Sequence, residues 1–385
     1  MDFELTDRQK KIQEKARDFA LREFSMEKAL GFDESYTYPY EIWKKACQSG
    51  FIGIHFPKAY GGQGCGITEN IIIVEEFCRR DSGIGIALSL ADFSSEVVLR
   101  FGTTEQKQKY LIPVAQGDFI SAGAYTEPDH GSDITLLFTT AVRQGDFFVI
   151  NGAKTFITNG TLADFFVVLC QTDPHAKPPY RGQCTLLVEK GTQGFTATEI
   201  KPKMGIRMTS TAQLSFSDVK VPLAHLIGEE NKGFYQVLEF FDESRIEIAA
   251  QALGVSQGAF DRALDYTKNR RQFGKRLVDF QATQHKLADM ATQIETARLL
   301  TYKAAWNYDQ ERIDPKLTSM AKMHAGRTAV EITGAAVELL GGYGYLNTYE
   351  VERFYRDAKI MEIYEGTKEI QKNTIASYLI GKHKS

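Results

Sequence analysis

Hydrophobic spacing changes period twice along the chain, and that change constrains the fold more than any single motif. Up to about Gly117 the apolar residues fall at helical steps: Thr6 with Gln9 forms a capping box, and Ile12, Ala16 and Phe19 continue as one stripe. Pro39 is predicted as the first residue of a second helix, with Gly50 just past its end. Thr103 with Gln106 opens another helix, which should stop near Pro113. From about Ile120 to Ile227 the period shortens to two. Leu214 and Phe216 alternate with Gln213, Ser215 and Ser217, and residues 165–170 are wholly apolar, as suits a buried strand. Gln144-Gly145-Asp146 and Asn151-Gly152 are predicted to turn the chain at the two ends of a strand over 147–150. Beyond about Gly233 long helical periods return. Phe280, Leu287, Met290, Ile294, Ala297 and Leu300 share one face, and Asp314-Pro315 caps a helix running to Gly341-Gly342. The expectation is an α+β chain in three parts: an N-terminal helical domain (1–119), a small central β domain, sheet, barrel or sandwich (120–229), and a C-terminal antiparallel four-helix bundle (230–385).

Composition narrows the function classes. Lys plus Arg number 46 against 49 Asp plus Glu, a net charge of -3 that excludes a dominantly electrostatic nucleic-acid binder. The longest apolar runs, 71–74 and 165–170, fall far short of the ~20 residues of a membrane helix. The acidic, quickly amphipathic start resembles neither a secretory signal nor a transit peptide. Five scattered cysteines, Cys47, Cys65, Cys78, Cys170 and Cys184, never fall in a C-x-x-C pair and read as reduced thiols of a cytoplasmic protein. No metal is expected, since seven dispersed histidines give no H-E-x-x-H. The glycine-rich run 61–66 lacks a preceding strand and a Walker lysine, and reads as a loop between helices.

Three short runs are candidates for chemistry. In Tyr125-Thr126-Glu127-Pro128-Asp129-His130-Gly131-Ser132-Asp133, amides and hydroxyls of a Gly/Ser/Asp turn either hold a phosphate or heterocycle edge or simply cap the β domain. Lys154-Thr155-Phe156-Ile157-Thr158-Asn159-Gly160 places a ring and a hydroxyl on one side of a strand, which an ordinary hairpin edge would also do. Ile363-Tyr364-Glu365-Gly366-Thr367 sets a lone carboxylate beside a glycine at the start of the final helix, where acids are common for dipole reasons alone.

In this order, and with Arg270-Arg271-Gln272-Phe273-Gly274-Lys275, Gly341-Gly342-Tyr343-Gly344 and Arg356-Asp357-Ala358-Lys359, the runs resemble those of the acyl-CoA dehydrogenase family of flavoproteins over essentially the whole chain. The resemblance implies FAD as cofactor, a CoA thioester substrate, a homotetramer, and an electron-transferring flavoprotein as acceptor. It makes Glu365 the base for the α proton while the β hydride passes to flavin N5, giving an enoyl-CoA. The Glu365 N–H would bond the thioester carbonyl and Gly366 would admit the substrate closely. By the same likeness Tyr125, Thr126, Ser132, Phe156 and Thr158 line flavin or CoA. Arg270, Gln281, Glu338, Gly341 and Gly342 would reach the FAD of a neighbouring subunit, with Glu338 standing where relatives often carry Gln. Thr367 and Glu369 would contact flavin from the side of the base. Asp242 and Arg245 fall where the family meets CoA. Some members keep their base near this point, but Ser244 stands there in this chain.

Asp92, in the helix expected to contribute to the acyl pocket before Phe101-Gly102-Thr103, departs from the family pattern, in which a small uncharged Ser or Asn usually stands at that position. It is either a capped aspartate or a second base or polar anchor for an alicyclic or unsaturated acyl group. No Lys or Arg lies between Asp81 and Leu99, which argues against a dicarboxylyl substrate. Two other activities on this scaffold are alternatives, an enoyl-CoA reductase and an acyl-CoA oxidase, and a third alternative is a non-catalytic CoA-ester-binding protein.

Overall fold

In the computed structural model, which describes residues 4–381, the predicted sequence of helical, β and helical parts is present. The N-terminal helices are α1 (Asp7–Glu23), α2 (Met26–Ser35), α3 (Tyr40–Gln48), α4 (Ile67–Arg80), α5 (Ser82–Ser89), α6 (Ser95–Phe101) and α7 (Thr104–Gln116). Both capping boxes form, at Thr6/Gln9 and Thr103/Gln106. Two boundaries differ from expectation. Pro39 is the N-cap of α3, not its first residue, and α2 lies before it. Pro113 sits inside α7, which runs on to Gln116 and ends where Gly117 turns left-handed. A proline in the last turn forfeits one donor but leaves the carbonyls that close the turn. α4 is buried nearly all round because α1 covers one face and a long C-terminal helix the other. That burial explains its apolar run at 71–74.

The central sheet has seven strands: β1 (Ser121–Ala124), β2 (Thr140–Gln144), β3 (Phe147–Thr158), β4 (Phe165–Gln171), β5 (Gln183–Glu189), β6 (Phe195–Glu199) and β7 (Thr211–Pro222). Their order is β1-β4-β2-β3-β7-β6, with β5 pairing β4. β4 is buried at every position, as its unbroken apolar run requires, and pairs parallel with β1. The Gly145-Asp146 turn forms between β2 and β3, but Asn151-Gly152 does not turn the chain. β3 continues through it with a register shift against β7 between Ile150 and Gly152. Gly152 has φ +143, and a Cβ there would lie 2.6 Å from the Thr139 Cα, so the pair makes a bulge under the neighbouring strand. Asn159-Gly160 does turn the chain at the end of β3.

Beyond the sheet come α8 (Gly233–Asn269), a two-strand ribbon of β8 (Arg271–Gln272) and β9 (Lys275–Arg276), then α9 (Gln281–Asp309), α10 (Pro315–Leu340), α11 (Val351–Ala358) and α12 (Lys368–Ile380). α10 packs against α8, α9 and α12, and Asp314 caps it as expected. One carboxylate pins the three parts together. Asp357 of α11 accepts hydrogen bonds from Ser82 Oγ of α5 at 2.6 Å and from the Ile206 N–H of the loop before β7 at 2.5 Å. Beside it Arg353 and Asp81 form an ion pair with almost no solvent contact.

Candidate functional site

The first two signature runs meet through their charged residues. Lys154 Nζ, fully buried, lies 2.9 Å from Glu127 Oε1 and donates to the Tyr125 carbonyl at 3.1 Å. Glu127 also accepts from the Phe138 and Thr139 amides, and Thr155 N–H donates to the Thr126 carbonyl at 2.9 Å. The two runs are therefore stapled side by side, and their polar edges open into one cavity of about 640 Å3. Tyr125, Thr126, Ser132, Phe156, Thr158, Glu365, Gly366 and Thr367 all line it, with Phe93, Ser94 and Ile248. At the second irregularity in β3, Phe156 takes φ +57 and leaves 66% of its surface exposed. A bare ring at such a position suits stacking on a flat partner. Tyr125 is only 7% exposed, yet among the described residues its hydroxyl makes no hydrogen bond of regular geometry, although Ser94 is near enough to act on it. A buried phenol without a regular hydrogen bond and an uncovered ring on one cavity are the features expected where a planar polar group such as a flavin sits.

Glu365 is held three residues before α12, in the loop leading to Thr367, the N-cap of that helix. Ser244 Oγ of α8 donates to its Oε2 at 2.7 Å. Loss of solvent pushes the Glu365 carboxyl up, and the Ser244 bond and the charges of Lys322 and Arg245 oppose that rise. The position at which some relatives hold a base thus supplies a hydroxyl that binds the carboxylate present.

The remaining expected residues lie elsewhere. Arg270, Glu338, Gly341 and Gly342 line a second, open depression of about 410 Å3 on the helical part. Glu338 is engaged by Lys286 Nζ at 2.6 Å. Gln281 and Glu369 open α9 and α12 and line neither cavity. Arg245 is buried beside Glu365, with Asp242 at 3.8 Å, and burial pushes the Asp242 carboxyl up to about 6. Asp92 is not among the residues lining the cavity: its Oδ2 accepts from the Gly53 N–H at 2.7 Å, while its neighbours Phe93 and Ser94 face inward.

Three basic residues on the main cavity were not anticipated: Lys203, Arg356 and Lys359. The signal for two of them was the Arg356-Asp357-Ala358-Lys359 run, which carried the family resemblance without a role of its own. Lys203 is clamped by the Ile206 and Thr209 carbonyls and burial pulls it down to about 8. His55, Glu96 and Glu243 also converge, with potential ligand atoms within 4.8 Å of one another. Arg100 at 3.0 Å from Glu96 and the Tyr308 hydroxyl at 2.9 Å from Glu243 already meet those carboxylates, making the group an ion and hydrogen-bond network.

Family models described as the acyl-CoA dehydrogenase N-terminal, middle and C-terminal domains match residues 6–118, 122–219 and 231–380. The chain belongs to the acyl-CoA dehydrogenase family. It is 44% identical to a short-chain specific acyl-CoA dehydrogenase of Clostridium acetobutylicum, over 98% of this chain and 99% of that one. It is 41% identical to an NADH-dependent acryloyl-CoA reductase of Anaerotignum propionicum, over 98% of this chain and 95% of that one. A solved chain from work on the electron transferring flavoprotein of Acidaminococcus fermentans and flavin-based electron bifurcation superposes with a TM-score of 0.96. It is 41% identical, covering 99% of this chain and 100% of that one. Acyl-CoA dehydrogenases are FAD flavoproteins and oxidoreductases acting on CH–CH bonds, and the cavity of Phe156, Thr158 and Tyr125 fits that cofactor. Among the described residues no helix is long and apolar enough to cross a membrane.

Proposed function

We propose that this acyl-CoA dehydrogenase acts on a short acyl-CoA, with Glu365 as the base that takes the α proton. The observation that carries the reading is the Ser244–Glu365 hydrogen bond at the wall of the cavity that Phe156 and Thr158 also line. FAD, when bound, accepts the hydride that leaves Cβ with its electron pair. The Glu365 carboxylate removes the Cα proton and becomes neutral, and the freed C–H pair forms the Cα–Cβ double bond. Burial raises the carboxyl toward the working pH, which improves the match for proton transfer. Gly366 at φ +89 keeps the loop tight against α12, where a Cβ would lie 2.7 Å from Gln371 Nε2. Phe93 and Tyr125 present aromatic surface to the cavity, and both pack on Phe240 behind them, with centroids 5.2 and 6.0 Å away.

The same groups serve reduction of an enoyl-CoA, and the likeness to an acryloyl-CoA reductase makes that the second reading. Electrons would pass to or from an electron-transferring flavoprotein. The depression around Arg270, Gly341 and Gly342 would receive the FAD of a neighbouring copy in a homotetramer. The free cysteines suit a cytoplasmic location. Anaerobic mixing with a panel of acyl-CoAs and enoyl-CoAs tests the function. Bleaching of the yellow oxidised protein by a short acyl-CoA, lost in Glu365→Gln, supports dehydrogenation with this base. FAD-loaded protein that no acyl-CoA bleaches, together with an inert Glu365→Gln change, overturns it. Specialisation for an alicyclic or unsaturated acyl group through Asp92 is tested on the same panel with Asp92→Asn, which keeps an acceptor for Gly53. Loss confined to those substrates assigns Asp92 to the acyl group. Unaltered selectivity leaves it as the cap of the Gly53 amide.

A further inference from the structure

The loop that carries Glu365 is strained and is gripped from behind. Glu365 has φ +53 and Gly366 φ +89, two consecutive left-handed residues, of which the first is not glycine. Left-handed backbone disfavours a side-chain-bearing residue and persists only where the surroundings impose it. Two buried side chains impose it here. Lys322 of α10, 1% exposed, donates from Nζ to the Gly366 carbonyl at 2.7 Å, its one hydrogen-bond partner among the described residues. Gln371 of α12, fully buried, donates from Nε2 to the carbonyls of both Glu365 and Gly366 at 3.0 Å, while its Oε1 has no partner. A buried lysine spent on a single backbone carbonyl is costly, and that cost points to a task the fold alone does not set.

We propose that Lys322 and Gln371 are the positioning residues of this loop: they lock the carbonyls of Glu365 and Gly366 so that the Glu365 carboxylate is presented on Ser244, and Lys322 alone adds positive charge behind it. The proposal rests on the reading of Glu365 as the base. Lys322 and Arg245 are the cations near Glu365; Tyr125, Tyr364 and Glu247 are the other titratable groups that sense it, and Glu362 faces Lys322. Burial pulls Lys322 down to about 7, so its charge is present below that pH; a nearby cation favours the carboxylate, and removing it raises the pH at which Glu365 becomes competent.

FAD-loaded Lys322→Met, Lys322→Arg and Gln371→Met proteins are compared by anaerobic stopped-flow bleaching with one acyl-CoA across pH, alongside Glu365→Gln. Lys322→Met and Gln371→Met should each lower the limiting rate by about tenfold or more, with the substrate Kd little altered. Lys322→Met should also move the acid limb upward by about one pH unit, which Gln371→Met should not do. Lys322→Arg should recover the limb and most of the rate. Wild-type limiting rates and limbs in both Met variants overturn the proposal, and an arginine variant no better than methionine overturns its charge component. If Lys322→Met does not load FAD, the arginine and Gln371 variants decide. An active Glu365→Gln protein instead removes the base assignment, an outcome distinct from failure of the clamp.

Discussion

Ser244 donates its hydroxyl to Glu365 at 2.7 Å, and that bond favours the charged carboxylate against the loss of solvent that raises it. In Ser244→Ala the carboxyl should rise further, because burial is then less opposed. Dehydrogenation needs the carboxylate, so activity falls as pH drops through the raised value. The acid limb of kcat/KM should move to higher pH by about one unit, and Ser244→Thr should hold it in place. Tyr125 gives a second prediction. Its buried hydroxyl makes no hydrogen bond of regular geometry among the described residues, so Tyr125→Phe should leave the apoprotein as stable or up to about 1 kcal/mol more stable by thermal unfolding. The same change should weaken acyl-CoA or FAD binding in titration, where a ligand repays the phenol. Glu365, Phe156 and Thr158 were legible because each sits in a short run whose residue types carry chemistry. Lys322 and Gln371 were not, since a lysine on an amphipathic helix ordinarily reads as solvated. Asp92 stood out as an unusual charge, but only the fold reveals that Gly53 takes it up.

At the scale of elements, the pair of Glu127 and Lys154 ties β3 to the run that follows β1. Removing one partner leaves the other charge buried and unpaired. Lys154→Met should therefore cost about 3–5 kcal/mol in urea unfolding, and adding Glu127→Gln should return part of it. Gly152→Ala should cost at least about 1 kcal/mol, since its Cβ would meet the Thr139 backbone in a conformation L-residues avoid. Strand and helix types were readable from apolar patterning and capping residues, as β4 and the capped starts of α1, α7 and α10 illustrate. Asn151-Gly152 misled because the dipeptide supplies the positive φ that a hairpin needs, and a bulge needs it too. α2 escaped notice because it buries only Ala29 and Asp33, too little for an apolar stripe.

Across the whole molecule, the expected cofactor contacts other than Gln281 and Glu369 divide between two cavities on one chain. If the second cavity serves a neighbouring copy, Arg270→Ala should weaken FAD retention without shifting the pH profile set at Glu365. Flavin fluorescence on dilution should rise at a higher protein concentration than in the wild type. The order of parts along the chain was legible from periodicity, but not their joining, since Asp357, Ser82 and Ile206 are far apart in sequence and carry no shared pattern. That joint also has a consequence for biogenesis. A ribosome delivers the helices of the first part and the sheet well before α11 emerges, and the loop of Glu365 follows later still. A nascent or truncated chain can thus display both N-proximal signature runs, correctly stapled, and still own no finished chamber. Flavin capture should therefore wait for the C-terminal part, since Glu365, Gly366 and Thr367 complete the wall of the cavity that the earlier runs line.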